Sequence, residues 1–164
     1  MNLKEALLKN INCTLWVNTT DFKQEYILDK IAYELNNGCK MIQFYFADIS
    51  DIENIEIGLK LRQLCSMYNA LLIVNSRIDI AQVIEADGIC LFKNNLTPNH
   101  IQKIIHNDII LSFKAETVED VIYANQNNLD YICVDSNKLP LINDNLAAFN
   151  KIKFIELNRK FLWQ

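Results

Sequence analysis

The sequence predicts an α/β fold in which helices pack outside a parallel sheet, and three observations carry this. First, Ala70 to Val74 and Ile89 to Phe92 are short, continuous apolar runs. They lack the alternation of a strand with one wet face, so both of their faces are covered. Second, Ile78, Ala81, Val83, Ile84 and Ala86 lie between them as one apolar helical stripe, which makes a βαβ unit. Third, the strand–helix alternation recurs along the chain at roughly 20–30 residues per unit. Doubly wound and barrel folds share this pattern, and periodicity does not separate them.

The elements follow in order. Residues 1–12 are a short amphipathic lead, suited to closing the bottom of a barrel. Cys13 to Thr19 is the first strand, and Glu25 to Asn36 is a helix that Asn37-Gly38 ends as a C-cap. Lys40 to Phe46 is the second strand. Ser50 or Asp51 caps a helix running to about Tyr68. Leu71 to Asn75 and Ile89 to Phe92 are strands three and four. Asp87-Gly88 is the turn before strand four. Thr97 is an N-cap with Pro98 at the first helical position. Asp108 to Phe113 is strand five, Thr117 caps a helix to about Asn127, and Tyr131 to Val134 is strand six. Asn143 to Asn150 reads as a short helix and Lys153 to Leu157 as strand seven, before the apolar Phe161-Leu162-Trp163.

A chain of 164 residues suffices for one domain with a substantial core, taken as residues 1–164, and is short for two. The net charge of −4 comes without a basic stripe, which argues against nucleic acid as a partner. No apolar run is long enough to cross a membrane, and Met-Asn-Leu-Lys-Glu is not a signal peptide. The expectation is a cytoplasmic protein. Cysteines 13, 39, 65, 90 and 133 are odd in number and lack metal-ligand spacing, so they read as buried small hydrophobes in a reducing compartment. With three glycines and two prolines, the chain lacks the material for glycine-rich phosphate loops. Asparagine is abundant instead and serves at caps and turns.

The stretch Ile73-Val74-Asn75-Ser76-Arg77-Ile78-Asp79-Ile80-Ala81, followed by Ala86-Asp87-Gly88-Ile89-Cys90-Leu91, resembles the centre of the thiamine phosphate synthase and thiazole tautomerase superfamily. There the text runs roughly IINDRVDLA-x-x-x-x-ADGVHLGQEDL, in the same register and without a gap. The resemblance extends from about Leu15 to Leu157. It implies a TIM-type (β/α) barrel, incomplete, with about seven parallel strands and the eighth βα unit missing. Such enzymes join a pyrimidine diphosphate to a thiazole phosphate and release the diphosphate. That chemistry needs cations around the departing charge and oxygen ligands for magnesium.

Carried over position by position, the resemblance implies a depleted pocket. The family's Q-x-R-x-K after strand two is Gln43-Phe44-Tyr45-Phe46-Ala47 here, so both diphosphate-binding cations are absent. The Asn-Asp after strand three is Asn75-Ser76, and the second magnesium aspartate falls at Asn95. The S-x-H after strand five is Ser112-Phe113-Lys114. The long loop after strand six shrinks to Asp135-Ser136-Asn137-Lys138, with Lys138 in place of the loop lysine, and the Gly-Gly at strand seven is Leu157-Asn158. The family-matched pocket is thus Gln43, Tyr45, Asn75, Ser76, Asn95, Ser112, Lys114 and Lys138. No catalytic residue is assigned, no metal is expected, and the magnesium-dependent transferase reaction is not expected. The ligand implied is one like thiamine phosphate or thiazole phosphate. A divergent active enzyme and a non-catalytic binding or interaction protein remain as alternatives.

Each position also has a plainer reading. Gln43, Asn75 and Ser112 bond one another and strand-end backbone groups, Tyr45 and Phe46 are core or rim aromatics, Lys93 and Lys114 are solvated loop cations, and Arg77 pairs with Asp79 or a helix neighbour. His100 and His106 lie outside the site. A barrel ending after strand seven has two edges to cover. Strands one and seven pair in a smaller closed barrel, the apolar tail folds back as a plug, or a homodimer buries the gap; the apolar tail favours the homodimer.

Overall fold

In a computed structural model of the chain, the strand order follows the apolar runs. It describes residues 3–11, 13–17, 24–105, 108–135, 137–138, 140 and 153–158. The elements are α1 (Leu3–Asn10), β1 (Cys13–Val17), α2 (Gln24–Asn36), β2 (Met41–Phe44), α3 (Asp51–Met67), β3 (Leu71–Asn75), α4 (Ile78–Val83), β4 (Gly88–Leu91), α5 (Pro98–Ile104), β5 (Ile110–Lys114), α6 (Val118–Gln126), β6 (Tyr131–Asp135) and β7 (Lys153–Asn158). The expected helix over 143–150 and the tail at 161–163 lie outside the described residues.

All neighbouring strands pair in parallel, in the order of the sequence, and β7 returns to β1. The closing pair places Cys13 beside Glu156, Thr14 beside Leu157 and Leu15 beside Asn158. Among the described residues the barrel therefore has seven strands and no open edge. Mutual pairing of the two edges removes one reason for a homodimer, while the apolar tail that favoured it lies outside the described residues. The smaller closed barrel is what the chain forms.

Alternation along each strand divides the core in two. Leu15, Val17, Ile42, Phe44, Leu72, Val74, Ile89, Leu91, Leu111, Phe113, Ile132 and Val134 face outward and meet the helices. Trp16, Met41, Leu71, Ile73, Cys90, Ile110, Tyr131, Cys133 and Ile155 face inward and fill the barrel. Leu7, Leu8 and Ile11 pack against the inner set from below, so the amphipathic lead closes the bottom as expected. Of the cysteines, Cys65, Cys90 and Cys133 are buried and Cys39 is half-buried. Burial pushes the Cys65 thiol up to about 12, so it behaves as a small hydrophobe.

Side chains hold the loops that glycine would otherwise shape. Ser50, Thr97 and Thr117 each accept from the backbone N–H three residues on, with Glu53, His100 and Asp120 bonding back. His100 thus has a capping role. Asn54 is fully buried and ties Phe46 N, Phe46 O and Ser50 O together. Asp120 accepts from Glu116 N and Thr117 N. Among the described residues, four turns use left-handed residues other than glycine, namely Asn69, Ser76, Glu85 and Asn128. No helix among the described residues is long and apolar enough to cross a membrane.

Gly88 begins β4, and the adjacent strand leaves no room for a side chain there. A Cβ at this position would stand 2.6 Å from the Ile110 carbonyl oxygen and 2.7 Å from Ile110 Cβ. The oxygen belongs to β5 backbone and cannot rotate away. Gly88→Ala is expected to cost about 3 kcal/mol of stability, the upper end of overpacking, as measured by urea unfolding. A loss within experimental error would show that β4 and β5 are farther apart than described.

Candidate functional site

Because all seven strands run the same way, their C-terminal ends share one mouth of the barrel. All eight pocket residues named from the sequence sit at those ends. Gln43, Asn75 and Ser112 project from β2, β3 and β5 and are buried. Tyr45, Ser76 and Asn95 follow β2, β3 and β4 and are half-buried. Lys114 ends β5. Lys138 is exposed in the turn after β6, where its N–H donates to Asp135 O at 2.9 Å.

The neutral members of this set are bonded within the protein. Gln43 Nε2 donates to Asn75 Oδ1 at 2.6 Å and reaches Cys133 Sγ at 3.7 Å. Ser112 Oγ donates to the β4 backbone oxygen of Ile89 at 3.3 Å, the strand-backbone bonding of the plainer reading. Asn95 Oδ1 accepts from Phe92 N at 2.6 Å and folds the loop after β4 back on itself. Ser76 holds a left-handed backbone, φ 65°, while its N–H donates to Cys90 O. Ala47 is exposed and brings no charge to the mouth.

Arg77 organises one side of the mouth. Its guanidinium donates to both Asp51 oxygens at 2.8 and 3.0 Å, to Asp79 at 2.9 and 2.6 Å, and to Tyr45 Oη at 3.1 Å. It also lies 5.6 Å from the Tyr45 ring centroid. Asp79 is the expected partner; Asp51 and Tyr45 come from other elements. Tyr45, which the resemblance puts in place of a diphosphate-binding arginine, thus engages this separate arginine. Hydrogen bonding from Arg77 holds the Asp51 and Asp79 carboxyls below their usual range.

The opposite side is built on Lys114, and here the reading of a solvated loop cation is corrected. Only 18% of its side chain is exposed. Its ammonium lies 5.5 Å from the Trp16 ring centroid and 5.9 Å from that of Phe92. The two rings stack at 5.7 Å and 11°. Glu116 and Asp135 carboxylates stand 3.4 and 3.6 Å from the ammonium. Lys93 does match the solvated reading, with 74% exposure and Asp120 at 3.7 Å. Trp16, Phe92 and Asp135 were not singled out from the sequence. The alternation of β1 around buried Thr14 and Trp16 was the available sign, but only barrel closure brings that ring to Phe92.

At the matched positions no carboxylate is present for a magnesium ion. A hard divalent cation is held by carboxylates. Ser76 and Asn95 supply neutral oxygens, and the Asn95 oxygen is already an acceptor for Phe92 N. No group of three or more His, Cys, Asp or Glu suited to a metal occurs among the described residues.

Comparison with known proteins bears on ancestry. Residues 14–136 match the thiamine monophosphate synthase family. Thiamine-phosphate synthase 1 of Aquifex aeolicus is 33% identical over 124 residues, covering 74% of this chain and 58% of that protein. The thiamine-phosphate synthase of Clostridium tetani is 34% identical over 128 residues, covering 77% and 61%. The chain thus spans about three-fifths of the length of these curated relatives. Among solved structures, the thiamine phosphate pyrophosphorylase of Pyrococcus furiosus superposes with a TM-score of 0.71. It is 24% identical, with 90% of this chain and 75% of that one covered, and it supports the fold.

The Arg77 cluster generates a pH prediction. Asp51 and Asp79 have folded-state pKa values below their unfolded ones. Their stabilisation is therefore complete above the ordinary carboxylate value and is lost as pH falls through the folded values. Arg77→Met should lower the melting temperature at pH 7 and narrow its gap from the unaltered chain at about pH 3, below the ordinary carboxylate range. Melting curves at the two pH values check this, and a gap that stays constant would contradict it.

Proposed function

Because this chain belongs to the thiamine monophosphate synthase family, we propose that its barrel mouth binds a small ligand of the thiamine-phosphate or thiazole-phosphate kind without the magnesium-dependent displacement of diphosphate. The protein in this reading is a cytoplasmic, non-catalytic relative of the transferases.

One observation carries the reading. At the positions matching the two strand-two cations and the two magnesium aspartates, Tyr45, Ala47, Ser76 and Asn95 are neutral, and two of these four side chains are bonded to the protein itself. Tyr45 Oη accepts from Arg77 and Asn95 Oδ1 accepts from Phe92 N. Ala47 has no polar side chain. Arg77 is matched by two carboxylates, and Lys114 also by two. Apart from Lys138, exposed in the turn after β6, a diphosphate entering here would meet no uncommitted cation among the pocket residues. Moving such an anion out of water without one costs several kcal/mol.

A smaller ligand faces a lower barrier. The mouth offers Phe92 stacked on the buried Trp16 ring, a half-buried tyrosine and a cavity of about 280 Å³ beside Phe92, Asn95 and Lys114. These suit a planar heterocycle better than a polyanion.

Two measurements test the reading. Calorimetric titration with magnesium and inorganic diphosphate is expected to give no heat of binding in the micromolar range, and micromolar binding would contradict it. Thiamine phosphate or thiazole phosphate at millimolar concentration is expected to raise the melting temperature by mass action. No shift with either would remove the ligand-binding role. A combined Tyr45→Arg, Ala47→Lys, Ser76→Asp and Asn95→Asp variant should gain diphosphate affinity by at least about tenfold, since it restores charge-assisted contacts.

A further inference from the structure

We propose that the barrel mouth is a site for a small organic cation, and that Lys114 occupies it from within. The inference rests on the reading of the mouth as a ligand site and adds the sign of the ligand's charge. Lys114 Nζ is seated against two stacked ring faces, at 5.5 and 5.9 Å from their centroids, with carboxylates of Glu116 and Asp135 at 3.4 and 3.6 Å. Ring faces carry the negative part of the aromatic quadrupole and attract a cation centred over them. Two rings and two carboxylates, from two strands and two loops, thus converge on one positive group. That environment is complementary to a cation and unfavourable to an anion.

Phe92, Lys114 and Glu116 of this cluster also line the cavity of about 280 Å³, together with Asp120. Lys93 is the other ammonium on this cavity, and it is 74% exposed beside Asp120. Lys114 is held by a flexible four-carbon stem that can swing its charge into water. Once it does, the rings keep their faces, and Glu116, Asp120 and Asp135 outnumber the remaining Lys93. A quaternary ammonium or an aromatic cation of similar size would then take the place of the lysine ammonium. Lys114 is in this account a built-in competitor that sets the threshold for the ligand.

Choline and its neutral isostere 3,3-dimethyl-1-butanol separate charge from shape. Each is titrated by calorimetry into the full chain, unaltered and as Lys114→Ala. Removing the competitor should strengthen choline binding by at least about tenfold and leave choline preferred over the alcohol by about tenfold, as expected for a desolvated cation over rings. Adding Trp16→Leu to Lys114→Ala should abolish that preference. Equal binding of choline and the alcohol by a cooperatively melting Lys114→Ala protein would overturn the proposal.

A second measurement needs no variant. Thiamine phosphate carries a cationic thiazolium ring and thiazole phosphate does not. At equal concentration the former should raise the melting temperature of the unaltered chain further. If thiazole phosphate stabilises as much or more, the cation proposal fails while the ligand-site reading stands. If neither stabilises, both fail.

Discussion

The pairing of β7 with β1 is the constraint on which the rest of the molecule depends. A parallel sheet covered by helices on one face still has two edges, and each edge carries unpaired amides and carbonyls. Here the edges satisfy each other along Cys13–Leu15 and Glu156–Asn158. Closure turns alternate residues of every strand into a common interior and gathers the strand ends at one mouth. Because barrel width grows with strand number, a seven-stranded barrel has a narrow interior. Trp16, Tyr131, Cys90 and Cys133 fill it, and Trp16 reaches Phe92 near the mouth.

That geometry decides what the polar residues can do. In a narrow barrel, facing side chains are within reach of each other and pair first. Gln43 and Asn75 share a hydrogen bond, and Cys90 and Cys133 bring their sulfur atoms within 3.2 Å. Burial and the neighbouring Cys90 push the Cys133 thiol above its ordinary value. At the rim the charges are balanced locally: Arg77 by Asp51 and Asp79, Lys114 by Glu116 and Asp135. On the reading proposed above, cations matched in this way are poorly placed to hold a diphosphate. What remains is aromatic surface with carboxylates around it.

Much of the fold was legible because it is written in local signals. The uninterrupted apolar runs marked buried strands, and Ser50, Thr97 and Thr117 marked helix starts through the hydrogen bonds they make. Asn75, Ser112 and Tyr45 could be placed at one mouth because every strand is parallel. The contacts that give the site its character were not legible. Arg77 meets Asp51 across 26 residues and Tyr45 across 32. Lys114 leaves solvent for the faces of Trp16 and Phe92 only because closure places β1 near the ends of β4 and β5. Local pattern identifies a strand and its inward face, but it does not say which inward residues meet across the barrel.

The most direct measurement of this account is amide hydrogen exchange resolved by residue. If β1 and β7 close the barrel, the amides of Cys13–Val17 and Lys153–Asn158 that take part in the ladder should be protected to the same order as those of β3 and β4. Free exchange along β1 and β7, with β3 and β4 still protected, would show an open sheet. The shared mouth, the Trp16–Phe92 stack and the site built on them would then have no common frame.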